Sequence, residues 1–345
     1  SRVKLTNIED CVKKGYVDEG SDPLQVAADQ LVSDRVNILH TIGGDDTNTM
    51  AAQLSFFLEK NGYDLTVVGL PKTVDNDLPY TDCSPGFGSV AKYIATSTLE
   101  AGLDVKSMAE TSTKVFILEV MGRHAGWIAA ASCLAATKAG DPPHIILLPE
   151  VPFEKTKFIT QVKQTVKEQG YCVIVASEGT QTKNGKFLAD SGLTDAFGHK
   201  QLGGVAPVLA GMISKIGLKN HWAVADYLQR SARHLASKTD LDQAYAVGEH
   251  AVKLAIAGKT ALMPIIKRTS DSPYKWKIAT APLKNVANIE KTMPKKFISK
   301  NGFEITQAGK TYLSPLIKGE APIKYVNGLP DIAELKRIKV KKKLN

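Results

Sequence analysis

Apolar runs of strand length alternate with stretches of helical periodicity along the chain. Runs that are apolar and rich in β-branched residues predict buried strands, and they cover residues 36–42, 65–70, 114–120 and 171–177. After the first run, apolar side chains recur at helical spacing up to Asn61-Gly62, namely Met50, Leu54, Phe57 and Leu58. An apolar segment, 127–136, follows the third run and a turn in the same way. The pattern predicts an α/β protein built from strand–turn–helix units.

Two later segments carry apolar residues at helical spacing, and we expect both stripes to face the core. The first stripe consists of Phe158, Ile159, Val162 and Val166. The second consists of Leu241, Tyr245, Gly248, Val252 and Ile256. Beyond residue 260 the short runs 261–266 and 277–283 predict further strands.

Two carboxylate-rich turns each follow a strand-like run. The first is Gly43-Gly44-Asp45-Asp46, and the second is Pro71-Lys72-Thr73-Val74-Asp75-Asn76-Asp77. Because the carboxyl ends of parallel strands meet at one edge of a sheet, both turns are expected to line one crevice. Glycine lets a backbone approach a phosphate closely, whereas bare carboxylates repel phosphate, so we expect Mg²⁺ between them. Together the turns indicate a phosphoryl-transfer site, although either alone is also compatible with an ordinary tight turn or a solvated loop.

These turns and the later segment Glu119-Val120-Met121-Gly122-Arg123 closely resemble the phosphofructokinase family in order and spacing. The resemblance runs from the first residues to about Arg230. It implies a phosphofructokinase-like fold of two α/β domains with mostly parallel sheets and the active site in the cleft. The donor domain is expected in residues 1–87 with about 229–280, and the fructose 6-phosphate domain in 88–228 with about 281–345.

Family members transfer a phosphoryl group to the 1-hydroxyl of fructose 6-phosphate, from either ATP or pyrophosphate. Users of ATP usually carry glycine at two positions where this chain has Asp46 and Lys72, as pyrophosphate users do. A carboxylate occupies room that a nucleotide needs, and a lysine adds a point charge for inorganic phosphate. The resemblance therefore implies a reversible, Mg²⁺-dependent pyrophosphate enzyme. An ATP-dependent enzyme and a catalytically silent, sugar-phosphate-binding regulatory subunit are the alternatives.

The resemblance also assigns roles within the two turns. Asp75 matches the general base that accepts the proton of the sugar hydroxyl, with Thr73 and Asp77 on either side of it. Lys72 matches the cation that stabilises the transition state, and Asp46 matches the residue that selects the donor. The expected Mg²⁺ ligand is Asp45. The residues expected to contact donor phosphate are Arg2, Gly44 and Lys72.

Residues on several strands match the sugar-binding positions of the family. They are Thr73, Val74, Asp75, Asp77, Lys114, Met121, Gly122, Arg123, Glu178, Tyr227 and Arg230. Lys114 matches a residue that reaches the sugar phosphate of a neighbouring subunit, which implies a homodimer or homotetramer with shared active sites. His221 stands where the family usually has a phosphate-binding arginine, and Lys219 is a possible substitute. Without the other motifs, a local cap or ion pair is favoured for Arg123. For Glu178, an acid at a helix start is the weaker alternative.

Composition and charge limit the classes of protein and of partner that the chain is compatible with. The chain has 345 residues, 43% hydrophobic and 23% charged, without an apolar stretch long enough to cross a membrane, and we expect a soluble α/β protein. Its net charge of +9 comes largely from a C-terminal run of six cationic residues: Lys336, Arg337, Lys339, Lys341, Lys342 and Lys343. That run lacks interleaved aromatic residues, so a solvated tail is favoured over a site for nucleic acid or membrane lipid.

Four cysteines are scattered without metal-ligand spacing, which favours reduced thiols and a cytoplasmic protein. His124 likewise has no second ligand at a metal-binding spacing, so a solvated or hydrogen-bonded histidine is expected. Family members open with a strand and a Gly-rich loop that holds donor phosphate, and about seventy such residues have no counterpart before Ser1. We therefore expect this sequence to be part of a longer chain.

Overall fold

Two four-stranded sheets covered by helices organise the protein, which is described by a computed structural model. The structure describes residues 4–194, 200–202 and 204–338. Helices α1 (Ile8–Lys13) and α2 (Pro23–Ser33) precede the first strand. The predicted strand–turn–helix units are confirmed, and the α/β architecture with them.

The first sheet combines strands from distant parts of the chain. Its order is β1 (Ile38–Gly43), β2 (Thr66–Pro71), β9 (Leu262–Asp271) and β10 (Tyr274–Pro282). The first three strands are parallel and β10 is antiparallel to β9. Helix α3 (Asp45–Lys60) begins directly after β1, and the short helix α10 (Leu283–Val286) follows β10. The parallel register places Gly43 opposite Pro71, so the two carboxylate-rich turns leave the sheet side by side.

The second sheet is entirely parallel. Its order is β4 (Ile145–Leu147), β5 (Cys172–Ser177), β3 (Val115–Val120) and β8 (Asn220–Val224). Val120 lies opposite Ser177, so the segments that begin at Met121 and Glu178 also emerge next to each other. The surrounding helices are α4 (Phe87–Met108), α5 (Trp127–Ala131), α6 (Lys155–Gln169) and α7 (Val205–Ser214).

The remaining elements connect and cover the sheets. They are β6 (Asp190–Thr194), β7 (Lys200–Leu202), α8 (Asp226–Ser231), α9 (Lys238–Ile256), α11 (Gln307–Leu313), β11 (Tyr325–Val326) and β12 (Leu329–Pro330). Short 3-10 helices span Ser132–Ala135, Arg233–Leu235, Lys295–Phe297 and Ser314–Ile317. Among the described residues, no helix is both long enough and apolar enough to span a membrane.

The largest hydrophobic cluster joins the two sheets around Trp127. Its indole ring makes edge contacts with Phe87 and Phe297, at centroid distances of 6.5 and 6.2 Å. All four cysteines are buried and free, as the sequence predicts. The predicted stripe with Phe158 and Val162 is also confirmed, because both side chains are fully buried beside the second sheet.

The predicted stripe on α9 is wrong. Tyr245 is 78% exposed and Ile256 is 77% exposed, and Leu241 and Val252 are about half exposed. The buried face consists instead of Asp240, Gln243, Val247, Ala251 and Ala255. Helix α9 packs closely on the first sheet, and small residues and two hydrogen-bonded polar side chains fit that contact. Larger apolar side chains are left on the outer face.

Strand β8 forms an exposed edge of the second sheet. Two of its large apolar side chains are accessible to solvent: Trp222 is 47% exposed and Val224 is 39% exposed. The next segment leaves Tyr227 and Leu228 more than 60% exposed. This edge and the outer face of α9 are therefore apolar surfaces that the described part of the chain leaves uncovered.

Candidate active site

A cavity of about 430 Å³ opens where β1, β2, β3 and β5 end. Its lining is mainly polar and comes from both sheets: Gly44, Asp45, Asp46, Thr47, Thr73, Asp75, Asp77, Arg123, His124, Ala125, Glu178 and Glu290. The structure thus brings together eight of the residues predicted from the sequence, and a crevice at the carboxyl ends of parallel strands is the usual ligand site of such folds.

The first turn is fixed where β1 becomes α3. The side-chain amide of Asn48 donates to the carbonyl oxygens of Gly43 and Gly44, both at 2.9 Å. A Cβ atom on Gly43 would collide with Thr47, so only glycine fits there. Asp45 and Asp46 occupy the first turn of the helix, where the unpaired backbone N–H groups favour negative charge.

Asp45 is held from the far end of the sequence. Its Oδ1 accepts hydrogen bonds from the backbone N–H of Asn288 at 2.9 Å and from the Thr49 hydroxyl at 3.3 Å. Burial raises the pKa of Asp45, and the charges of Asp46 and Glu290 raise it further, against these two hydrogen bonds. A cation near Asp45 would relieve this repulsion.

The second turn presents Asp75 to the cavity. Its backbone N–H donates to the Thr73 hydroxyl oxygen at 3.1 Å, which closes the turn. Burial raises the pKa of Asp75 to about 7, and the neighbouring charges of Asp77 and Glu178 contribute, while Arg123 and the Thr73 hydroxyl oppose the shift. A carboxyl group with a pKa near neutrality exchanges protons readily under physiological conditions.

Asn76 shapes the turn from behind. Its φ of 55° lies in the left-handed region, which asparagine tolerates better than most residues, and its side chain is fully buried. The side-chain oxygen accepts from the Ser84 N–H at 3.0 Å, and the side-chain amide donates to the Tyr312 hydroxyl at 3.0 Å. These bonds leave the carboxylates on either side of Asn76 directed into the cavity.

Asp77 completes the acidic part of the lining. Burial raises its pKa, and Glu290 and Asp45 raise it further. Its Oδ1 is buried and has no hydrogen-bond partner among the described residues. No group of three or more potential ligands for a metal occurs in the described part of the chain. Mg²⁺ needs only one or two carboxylates beside water and phosphate oxygens, so this oxygen-rich cavity fits that ion.

The turns that follow β3 and β5 interlock. Gly122 has a φ of 130°, and a Cβ atom there would lie 2.7 Å from the Ala125 carbonyl oxygen. Its N–H donates to Glu178 Oε1 at 3.4 Å, and its carbonyl oxygen accepts from the Ser177 hydroxyl. Burial raises the pKa of Glu178, whereas Gly122 and Arg123 oppose the shift. Arg123 and Glu178 therefore enter the cavity on a rigid frame.

Several predicted residues lie outside this cavity. Lys72 is exposed, next to Thr73, and Met121 packs against the hydrophobic core. Val74 and Arg230 line a second cavity of about 270 Å³, and Arg230 stacks on Tyr227 at 4.3 Å. Arg2 lies outside the described residues.

Lys114 lies at the opposite end of β3 from the cavity. Its Nζ donates to the carbonyl oxygens of Ala109 and Glu110. Six strand residues separate it from Met121, a span of about 20 Å. Lys219 is nearby, because its carbonyl oxygen accepts from the Lys114 N–H at 2.9 Å. Lys114 therefore does not reach this cavity.

The segment from Asn288 to Lys291 contributes residues that sequence reasoning missed. Glu290 lines the cavity and contacts His124, with 2.6 Å between Oε1 and Nδ1, so the prediction of a hydrogen-bonded His124 is confirmed. The backbone N–H of Lys291 donates to the Asp77 carbonyl oxygen at 2.6 Å. This segment follows α10 without periodicity or a motif, and it offered no signal in the sequence.

Comparisons with known proteins give consistent results. A family model described as Phosphofructokinase matches residues 11–255. A relative from Halomonas elongata, named pyrophosphate–fructose 6-phosphate 1-phosphotransferase, is 62% identical over 303 residues, covering 88% of this chain and 72% of that protein. A relative of the same name from Methylococcus capsulatus is 56% identical with the same coverage. The crystal structure of a pyrophosphate-dependent phosphofructokinase from Marinobacter aquaeolei matches with a TM-score of 0.86 and 53% identity, covering 94% of this chain and 78% of that one.

Proposed function

The chain belongs to the phosphofructokinase family, and we propose that it transfers a phosphoryl group from pyrophosphate to the 1-hydroxyl of fructose 6-phosphate. The products are fructose 1,6-bisphosphate and phosphate, as in a glycolytic step. The observation that carries the proposal is the Asp46 carboxylate in the lining of the donor side of the cavity. It takes up room and adds negative charge where a nucleotide would otherwise extend.

Asp75 is the proposed general base. The carboxylate accepts the proton of the 1-hydroxyl as the hydroxyl oxygen attacks the phosphorus atom, and the bond from phosphorus to the leaving phosphate breaks. A pKa of about 7 keeps a large fraction of Asp75 ionised at neutral pH and still lets it hold the proton afterwards. In the reverse reaction the same carboxyl group returns the proton to the 1-oxygen of the sugar, as phosphate attacks the phosphorus atom and the bond from phosphorus to that oxygen breaks.

The carboxylates in the cavity would repel the phosphate groups of the substrates, so positive charge is needed to bind them. We propose that Asp45 holds Mg²⁺, which would offset the charge of the phosphates when bound. Arg123 enters the cavity beside Asp75, and Lys72 follows β2 on the exposed side. Thr73 and Asp77 position Asp75, and Gly44 leaves room for donor phosphate beside the start of α3. Arg2 stays a proposed donor contact on the resemblance alone.

Sugar binding is assigned to the turns of the second sheet. Glu178 can accept hydrogen bonds from sugar hydroxyls, and Met121 and Gly122 shape the adjoining loop. Tyr227 and Arg230, with Val74 close by, are proposed to bind the sugar phosphate at the neighbouring cavity. An arginine that stacks on an aromatic ring is held in place while its N–H groups remain available for a phosphate.

We propose a homodimer or homotetramer with shared active sites. Lys114 and Lys219 lie too far from the cavity of their own subunit to contact a ligand there, and the β8 edge and the outer face of α9 are uncovered apolar surfaces.

The four buried free thiols support a cytoplasmic location. The domain boundaries also stay a proposal. Neither nucleic acid nor membrane is proposed as a partner of the basic tail, in which Lys336 and Arg337 are exposed.

The donor assay tests this function directly. Purified protein with Mg²⁺ and fructose 6-phosphate should form fructose 1,6-bisphosphate from pyrophosphate and not from ATP. In the reverse direction it should form pyrophosphate from fructose 1,6-bisphosphate and phosphate. Turnover with ATP alone would make the ATP-dependent alternative correct. Calorimetric binding of fructose 6-phosphate without turnover by either donor would instead identify a regulatory subunit.

A further inference from the structure

The Asn288–Lys291 segment touches three functional parts of the cavity. Asn288 donates to the Asp45 carboxylate, Glu290 contacts His124, and the Lys291 N–H donates to the Asp77 carbonyl oxygen. The Trp127 indole N–H in turn donates to the Lys291 carbonyl oxygen at 2.9 Å. The segment is therefore bonded at once to the first carboxylate-rich turn, to the second one, and to the stretch that follows β3.

The side chain of Lys291 reaches inward beneath the second turn. Its ammonium donates to the carbonyl oxygens of Thr81 and Asp82, both at 3.0 Å, and to the Asn76 side-chain oxygen at 3.3 Å. An ammonium has three N–H donors, and this arrangement supplies three acceptors. The Trp127 ring lies on another side, 5.4 Å from Nζ to the ring centroid.

The turn above this ammonium needs support. It carries Asp75 and Asp77, whose charges repel each other, on either side of an asparagine in the left-handed region. The charge of Lys291 lowers the pKa of Asp77, against burial and the nearby carboxylates. A positive charge fixed behind the turn thus offsets repulsion that would otherwise open it.

We propose that Lys291 is a positioning residue for phosphoryl transfer: its ammonium holds Asn76 and the Thr81 and Asp82 carbonyl groups, and so sets where the Asp75 carboxylate lies. The inference rests on the proposed function. A displacement of about 1 Å can reduce turnover by about 100-fold without weakening substrate binding, because alignment matters most in the transition state. A residue that only stabilised the fold would not produce that kinetic pattern.

The test compares Lys291→Met with two matched variants. His144→Met removes another polar side chain, which accepts a hydrogen bond from the Val173 N–H at the end of β5 away from the cavity. Lys296→Met removes an exposed positive charge five positions further on. We expect Lys291→Met to lower kcat with pyrophosphate about 100-fold, with KM for fructose 6-phosphate within about threefold of wild type. Both control variants should keep kcat within about threefold of wild type. The melting temperature of His144→Met shows how far a loss of stability alone affects kcat.

Two outcomes would overturn the inference: an unchanged kcat in Lys291→Met, or an equal loss of kcat in His144→Met at an equal drop in melting temperature. If Lys291→Met does not fold, Tyr312→Phe probes the same support, because the Tyr312 hydroxyl accepts from Asn76 and donates to the Asp82 carbonyl oxygen. That variant should lose kcat about tenfold at constant KM, and full activity would contradict the inference. An absence of pyrophosphate turnover in the wild type would instead refute the proposed function itself.

Discussion

The backbone N–H of Asn288 donates to the Asp45 carboxylate at 2.9 Å, across 243 positions of sequence. The Thr49 hydroxyl bonds to the same oxygen, Oδ1, and both contacts orient the carboxyl group at the start of α3. A ligand that is oriented in advance binds a metal ion with less loss of conformational freedom. The proposed ligand Asp45 is thus oriented partly by a residue that lies far from it in the sequence.

Replacing Asp45 by asparagine should weaken Mg²⁺ binding and keep the fold. The amide retains an acceptor oxygen for Asn288 but loses the negative charge that attracts the cation. We expect the Mg²⁺ concentration for half-maximal rate to rise at least about tenfold, measured at saturating substrates. The exposed Asp64→Asn is the control and should leave it unchanged. An unchanged Mg²⁺ requirement in Asp45→Asn would assign the ion to other oxygens.

The rate should depend on pH through the ionisation of Asp75. Only the carboxylate can accept the proton, so kcat should rise as the pH passes through about 7, the raised pKa of Asp75. Because the charge of Asp77 contributes to that rise, Asp77→Asn should move the midpoint to lower pH. A midpoint near 4 in the wild type, or no movement in the variant, would contradict this role.

Asp75 should also cost the protein stability at neutral pH. Its pKa is higher in the folded than in the unfolded chain, so the folded state binds the proton more tightly and stability falls as pH rises from about 4 to about 7. Asp75→Asn removes the charge, and at pH 8 it should raise the free energy of unfolding by on the order of 4 kcal/mol while abolishing turnover. Denaturant titrations at pH 4 and pH 8 measure the difference. Equal effects at both pH values would exclude ionisation as the cause.

Donor choice should depend more on Asp46 than on Lys72. Asp46 lines the cavity, whereas Lys72 is exposed beside it. Asp46→Gly should therefore raise the ATP rate relative to the pyrophosphate rate, and Lys72→Gly should mainly reduce the pyrophosphate rate. The double variant should shift the ratio furthest, by roughly 10²-fold or more. Unchanged ratios in all three variants would show that these two residues do not select the donor.

A shared active site can be tested by mixing two inactive variants. Asp75→Asn removes the base from its own subunit, and Lys114→Ala removes a contact proposed to act in the neighbouring one. After dissociation and reassociation, hybrid dimers would contain one intact site, so activity should recover to about a quarter of the wild-type value. Lys219→Ala mixed with Lys114→Ala provides the control, because both changes affect the same contributed surface. A lack of recovery in the first mixture, with hybrids detected by mass, would place Lys114 outside the site.

Sequence predicted the parts of the site that are local. The turns after β1 and β2 follow strands directly, so their spacing and residue types sufficed to bring Asp45 and Asp75 to one crevice. Large apolar residues usually mark the core face of a helix, so the prediction for α9 is wrong. The face of α9 that packs on the first sheet carries small residues such as Ala251 and Ala255. Asn288 and Glu290 could not be predicted, because their contacts depend on the complete first sheet, which brings α10 beside α3.

The long separation between Asp45 and Asn288 also has a consequence for synthesis of the protein. A ribosome adds about 5–20 residues per second, so on the order of 10 to 50 seconds pass between the two residues. During that interval the emerging β1 and β2 lack β9, and the carboxylates at their ends lack the hydrogen bonds of the Asn288–Lys291 segment. The hydrogen bonds that hold the two acidic turns therefore form only after the Asn288–Lys291 segment has been synthesised.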